Sequence, residues 1–427
     1  MESKHPHPVE KRAVDSIDGV SVASLISQFD SPLYVYSLSS IKEQYEKMAS
    51  AFKIFPHRIH YAIKAMNNLA ILKFIYSLGA SADTVSVEEI EFCLKVGFTP
   101  DRIIFTPSGP SEKDIDFALT RNIMITIDNF QNIEYIGKKY GSAHPISIRI
   151  NPEVLSGGDE KISVAGKQSK FGLGMNKIEE AKVLCAKYNI SIVGLHIHTG
   201  SDISNAEEYF QAVDNLVKVA LTFEKLQFID LGSGFHVPYK PHDEHDVETD
   251  MHNYAAEIQK RYLKLKEKFG SEDFVMKFEP GKFIVSKSGY LLVSASVVKN
   301  NNGVNFAIVD SGLNHLIRPM MYSKAYHYIT NASNPTGEKH KYNVCGYICE
   351  TDTFGAEREI SEIRQGDVLI IHNAGAYGMT MASNYNCKLR PAEVAVYQGK
   401  ATLVRRRETF EDLISTQCIV DLSPQAK

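Results

Sequence analysis

From residue 59 onward the chain alternates between two hydrophobic periods. Short runs rich in Ile, Val and Phe carry the two-residue period of a strand. They recur at Ile59–Lys64, Ala80–Val85, Ile103–Thr106, Met124–Asp128, Ile146–Ile150, Ile192–His198, Phe228–Leu231 and Val275–Glu279. Between them apolar residues return at helical spacing over Asn68–Leu78, Val87–Val96, Ser111–Thr120, Phe130–Tyr140, Lys177–Tyr188, Ala206–Leu226 and His252–Phe269. Eight strands separated by helices predict an α/β fold, a closed parallel (β/α)8 TIM-like barrel. An open doubly wound sheet is the rival. It usually has fewer strands, and no G-x-G-x-x-G follows the first strand here.

The two ends of the chain have a different texture. Residues 1–30 read as a mobile start with a short helix at Val22–Phe29, followed by a strand at Leu33–Tyr36 and a helix at Leu38–Phe52. Beyond about residue 285 strand-like runs follow one another directly: Tyr290–Val298, Phe306–Val309, Tyr342–Ile348, Val368–His372, Ala392–Tyr397 and Ala401–Arg406. A Gly399-Lys400 turn makes the last two a hairpin. This predicts an antiparallel β-barrel or β-sandwich domain. The expected division is 1–36 as an N-terminal segment lending a strand to the β domain, 37–285 as the barrel, and 286–427 as the β domain. Ser156–Lys167 and the His- and Asp-rich Pro238–Asp250 read as mobile, solvated loops.

Composition narrows the class. With 427 residues, 44% hydrophobic, 23% charged and a net charge of -4, the chain offers no broad basic field for nucleic acid. No apolar run is long enough to span a bilayer, and Met1 to Arg12 lacks the apolar core of a signal peptide. Six cysteines without C-x-x-C spacing read as reduced thiols. The expectation is a cytoplasmic protein acting on a small molecule.

The carboxyl ends of barrel strands are where catalytic groups belong. The first ends in Lys64 and the second carries Asp83. The fifth carries Arg149 and Asn151, and the sixth His196 and His198, followed by Thr199-Gly200-Ser201. The seventh runs into Gly232-Ser233-Gly234 and the eighth into Glu279-Pro280-Gly281-Lys282. A lysine in a partly dry cavity loses hydration, its pKa falls, and its neutral amine can attack a carbonyl to form a Schiff base. A surface lysine closing a strand would look the same on this stretch alone. The glycines after strands seven and eight let backbone N–H groups approach an anion. His196 and His198, two apart, face the same way on a strand. They read as a metal pair lacking an obvious third ligand, as an imidazole packed on a planar cofactor, or, for His196, as a core histidine. Glu279 beside a heteroaromatic nitrogen would keep that nitrogen protonated. Amine, anion cradle, stacking ring and carboxylate together describe pyridoxal 5′-phosphate.

Longer motifs carry a resemblance over roughly residues 30 to 415. Tyr61-Ala62-Ile63-Lys64-Ala65, Ser169-Lys170-Phe171-Gly172, Gly194 to Ser201, Glu279-Pro280-Gly281 and Cys349-Glu350-Thr351-Asp352 resemble the diaminopimelate decarboxylases. So do Asn373 to Gly378, Met381 to Asn386 and Arg390-Pro391-Ala392-Glu393. The resemblance implies a barrel-type pyridoxal-phosphate enzyme, related to ornithine decarboxylase and alanine racemase, that converts meso-2,6-diaminopimelate to L-lysine and CO2. Lys64 would carry the cofactor, His198 would stack on its ring, and Glu279 would pair with its nitrogen. Ser201, Gly232, Ser233, Gly234, Pro280, Gly281, Lys282 and Tyr377 would hold its phosphate side. Arg318, Tyr322, Lys282 and Tyr377 would meet the substrate. Glu350 would bind the distal ammonium, and Cys349 would return a proton to Cα. Both would reach in from the partner of a homodimer with shared active sites. No metal is implied. Two positions depart from the family pattern: Lys282 stands where Arg is usual, and Ser233 interrupts a run of three glycines. A decarboxylase of another carboxylated amine, a racemase on the same architecture and a non-catalytic cofactor binder remain as rivals.

Overall fold

The computed structural model of the chain describes residues 15–154 and 169–423, apart from 201, 204, 242, 271, 272 and 324. Ser156–Lys167, expected as a loop, lies outside the described residues, and so does Ser201.

Eight parallel strands close into a ring: His57–Ala62, Ser81–Thr84, Ile103–Phe105, Met124–Ile127, Ile146–Asn151, Ile192–His196, Phe228–Asp230 and Val275–Phe278. The eighth pairs with the first, Met276 opposite His57, so no edge is left open. Helices follow the strands and form the outer layer. The sequence fixes their ends locally. Over Val87–Val96 the Ser86 side chain accepts the Glu89 N–H, and Gly97 closes the helix at φ +104°. Leu38–Phe52, Val87–Val96 and Phe130–Tyr140 fall where the periodicity puts them. The helix expected over Ala206–Leu226 stops at Ala220. Thr222 Oγ1 donates to the Val219 carbonyl at 2.8 Å, and the chain must reach Gln227, whose N–H bonds the Val193 carbonyl, before the strand at Phe228 begins.

Most of the remaining strands form a second sheet. Its path runs Thr353–Ser361, Lys339–Cys345, Val304–Val309, Gly289–Asn301, Leu33–Ser37, Ala392–Tyr397, Lys400–Arg405, with Val368–Ile371 also on Gly289–Asn301. The early strand Leu33–Ser37 sits in its middle, fully buried. The sheet is mixed rather than antiparallel: Leu33–Ser37 runs parallel to Ala392–Tyr397, and Val304–Val309 parallel to Lys339–Cys345. Both exceptions join strands distant in sequence, where no hairpin sets direction. The final hairpin turns on Gln398-Gly399, one residue earlier than the pattern suggested. Both residues have positive φ, 49° and 79°, and Tyr397 pairs with Lys400. Among the described residues no helix is long and apolar enough to cross a membrane.

Candidate active site

The first barrel strand ends at Ala62, and Lys64 lies on the single 3-10 turn Ile63–Ala65 that follows, not on the strand itself. The Tyr61 hydroxyl pins this turn by donating to the Met66 carbonyl at 3.0 Å. Lys64 then points back over the barrel mouth, its Nζ 3.2 Å from Asp83 Oδ2 at the end of strand two. Thr106, after strand three, donates its hydroxyl to the other oxygen of Asp83. Burial alone would lower the lysine's pKa, but Asp83, Tyr377 and Glu279 outweigh it, and the pKa is raised. The expected depressed lysine is therefore corrected: in this state the amine is a charged partner of Asp83.

Around Lys64 lies a cavity of about 380 Å³, lined among others by Arg149, Phe171, His196, His198, Glu279, Lys282, Arg318, Tyr322 and Tyr377. Glu279 follows the eighth strand and is 5% exposed. Its Oε2 lies 3.1 Å from His196 Nε2, while its Oε1 is buried without a partner among the described residues. Burial pushes Glu279 upward and lowers His196 to about 4, so His196 is a neutral ring hydrogen-bonded through Nε2 to Glu279. The two histidines do not act as a pair. Past the strand end His198 turns to Ser233, whose N–H meets its Nδ1 at 3.4 Å.

The glycine turn depends on its lack of side chains. Gly232 has φ +59°, and a Cβ there would stand 2.6 Å from His198 Nδ1; Gly234 has φ +117°, and a Cβ there would stand 2.3 Å from the Gly200 carbonyl oxygen. A small recess is lined by Lys64, His198, Ser233, Gly234, Gly281 and Tyr377. Pro280 accepts the Ala62 N–H at 3.1 Å, and the Tyr377 N–H bonds the Ala65 carbonyl at 2.8 Å, so both neighbouring segments are tied to the turn that carries Lys64. The donor set fits pyridoxal phosphate: an amine, a side-chain-free anion cradle and an orphaned carboxylate oxygen share one cavity.

Arg318 begins a four-residue helix, Arg318–Met321, and is 8% exposed. No ion pair holds it among the described residues; its guanidinium instead lies 5.4 Å from the Tyr322 ring centroid and 5.7 Å from that of Tyr377. Lys282 is not free in this way. It is ion-paired with Asp202 and stands 4.6 Å from the Tyr239 ring centroid. Asp202 and Tyr239 were not singled out from sequence, because a residue's partner across the barrel mouth has no local signal.

The Pro238–Asp250 loop is solvent-exposed through its middle, at Lys240, Pro241, Asp243, Glu244, His245 and Val247, but it is anchored at its ends, where Tyr239 and Thr249 are buried. Val237 is fully buried, and His236 lies between Asp246, at 2.5 Å from Nε2, and Asp202, at 3.4 Å from Nδ1. Asp246 also accepts the Tyr239 and Lys240 N–H groups at 2.7 and 2.6 Å. Cys349 and Glu350 are the residues that this chain does not bring to its own cavity. Both are exposed, with Tyr385 donating to Glu350 at 2.5 Å and Asn386 to Cys349 Sγ at 3.1 Å.

Comparison with known proteins agrees with this geometry. The family described as pyridoxal-dependent decarboxylase, pyridoxal binding domain, matches residues 38–286. Diaminopimelate decarboxylase of Methanothermobacter thermautotrophicus is 36% identical over 410 residues, which are 94% of this chain and 95% of that protein. The crystal structure of diaminopimelate decarboxylase from Helicobacter pylori complexed with L-lysine superposes with a TM-score of 0.85 at 33% identity, covering 92% of this chain and 98% of that one. The corresponding L-lysine complex from M. jannaschii gives a TM-score of 0.87 at 30% identity, covering 97% and 98%.

Proposed function

The chain belongs to the diaminopimelate decarboxylases, a branch of the pyridoxal-dependent decarboxylases, and on that premise we propose that it converts meso-2,6-diaminopimelate to L-lysine and CO2, the last step of lysine biosynthesis. The observation that carries the reading is the buried, unpartnered Glu279 Oε1 on the cavity that holds the Lys64 amine. Pyridoxal phosphate, when bound, supplies a sink for the electron pair left by the breaking Cα–CO2 bond.

The chain's own residues prepare that event. Lys64 supplies the amine that holds the cofactor. It must first give up the proton that its pairing with Asp83 keeps on it. Glu279 would pair with the ring nitrogen, His198 would pack on the ring, and Gly232, Ser233, Gly234, Gly281 and Tyr377 would hold the phosphate, a role the resemblance also gives to Ser201. Arg318, with no ion pair among the described residues and flanked by Tyr322, would take the distal carboxylate of the substrate, since a guanidinium fork matches a carboxylate with two parallel bonds. Lys282, tied to Asp202, contributes as part of that pair rather than as a free charge.

Cys349 and Glu350 act in trans. Their exposure away from this chain's cavity supports a homodimer in which Glu350 binds the distal ammonium and Cys349 protonates Cα in the partner's site. Residues 37–285 then hold the cofactor, and 286–427 bring substrate and interface residues. Six free thiols support a reducing, cytoplasmic setting. The test is CO2 release from meso-diaminopimelate set against its LL and DD isomers. Release from the meso form with L-lysine as product is expected, and no release from it overturns the proposal.

A further inference from the structure

Below Glu279 the cavity floor continues into side chains that the reaction above does not use, Asp230 and Lys277. The barrel register places His196 beside Asp230, and Asp230 beside Lys277, on strands six, seven and eight. His196, Asp230 and Glu279 are all buried, with one polar atom of each within 4.8 Å of the others. Among the described residues each keeps one polar atom without a partner: His196 Nδ1, Asp230 Oδ2 and Glu279 Oε1. The other oxygen of Asp230 accepts the Gly232 N–H at 3.0 Å. Asp230 thus joins the two ends of the cofactor site. One oxygen shapes the anion turn, and its charge stands beside the carboxylate assigned to the ring nitrogen.

We propose that Asp230 is a positioning residue which, acting through Glu279, makes the cofactor's ring nitrogen keep its proton to higher pH. The inference rests on the cofactor assignment made above. Two carboxylates this close in a dry interior do not both lose their protons readily, and a second negative charge beside the Glu279–nitrogen pair raises that pair's hold on its proton. The neutral His196 cannot cancel the charge; its Nε2 orients Glu279 through a hydrogen bond to Oε2. The charged groups facing the pair are Lys277 on strand eight, Arg149 from strand five, and Asp83 and Lys64 from the first two strand ends. Lys277, in register with Asp230, favours the ionised form of Asp230. Burial and Glu279 push the other way, so Asp230 also titrates above the usual carboxylate range.

The test uses holoenzyme loaded with pyridoxal phosphate carrying 15N in its ring, whose chemical shift reports protonation of that nitrogen directly. Asp230→Asn keeps an acceptor for Gly232 and removes the charge. The midpoint at which the ring proton is lost is expected to fall by about one pH unit or more, a tenfold change in proton affinity. The 31P shift of the phosphate should stay where it is. An unmoved 15N midpoint overturns the role of Asp230, because a purely structural residue would leave that titration untouched. If Asp230→Asn does not fold, Asp230→Ser makes the same charge comparison and is judged by the same midpoint. A wild-type protein that takes up no cofactor defeats the functional reading itself. A loaded, protonated wild type with an unmoved variant defeats only this inference.

Discussion

At the scale of single residues, the site works because Lys64 and Glu279 lie where burial and neighbours set their charges. The Lys64 amine is stored as a cation against Asp83, so cofactor attachment requires deprotonation before it requires anything else. Lys64→Ala is expected to bind no cofactor covalently, and the purified variant should lack the visible absorbance of the wild type. Retained absorbance would mean that another amine holds the cofactor. Gly232→Ala tests the cradle. Left-handed backbone costs a side-chain-bearing residue about 1–3 kcal/mol, and the new methyl also meets His198 Nδ1. Denaturant unfolding should show a loss of that size, with a weakened affinity for added pyridoxal phosphate.

At the scale of elements, two ties hold the cavity's walls. The segment from His236 to Asp250 is strapped down by His236 between Asp202 and Asp246. Burial by itself would lower the histidine's pKa, but the two carboxylates raise it above the ordinary value. The strap's stability is therefore complete below the usual histidine range, near pH 6.5, and is lost as pH rises through the raised folded value. Amide protection across the segment, corrected for the intrinsic rise of exchange with pH, should fall over that rise, and His236→Gln should remove that fall. The second tie is Glu393, 1% exposed in the β sheet. It accepts from Tyr36 at 2.7 Å and from Asn68 at 3.0 Å, and it pairs with Arg405. Asn68 also caps the helix Leu69–Ser77 of the barrel. Glu393→Ala removes one tie between sheet and barrel, leaving Arg405 without its carboxylate and Asn68 with only its bonds to Val404 and Ala70. Arg405 is partly exposed, so the cost should fall at the lower end of the range for a broken buried pair, about 3 kcal/mol in a urea titration.

At the scale of the whole molecule, the chain folds a cavity and carries Cys349 and Glu350 on a different surface. If the sites are shared, Lys64→Ala and Cys349→Ala should each be nearly inactive alone. Refolded together at equal amounts they should regain up to roughly a quarter of wild-type activity, because half the dimers are mixed and each mixed dimer has one intact site. No recovery would show that each subunit completes its own site.

The order of elements was legible because it rests on local physics. The two hydrophobic periods, the serine and asparagine caps and the glycine turns are written in adjacent residues, and they placed the eight barrel strands and the rim that carries Lys64 and Glu279. Motif spelling added the family. The sequence did not disclose which way Leu33–Ser37 pairs with Ala392–Tyr397, that Asp202 occupies Lys282, or that His236 is clamped. Nor did it disclose that Lys64 is held as a cation. Each of these depends on groups far apart in the chain meeting in a dry interior, where a neighbouring charge outweighs a residue's own preference. Period and caps decide what a segment becomes, and closure of the barrel decides which charges face one another.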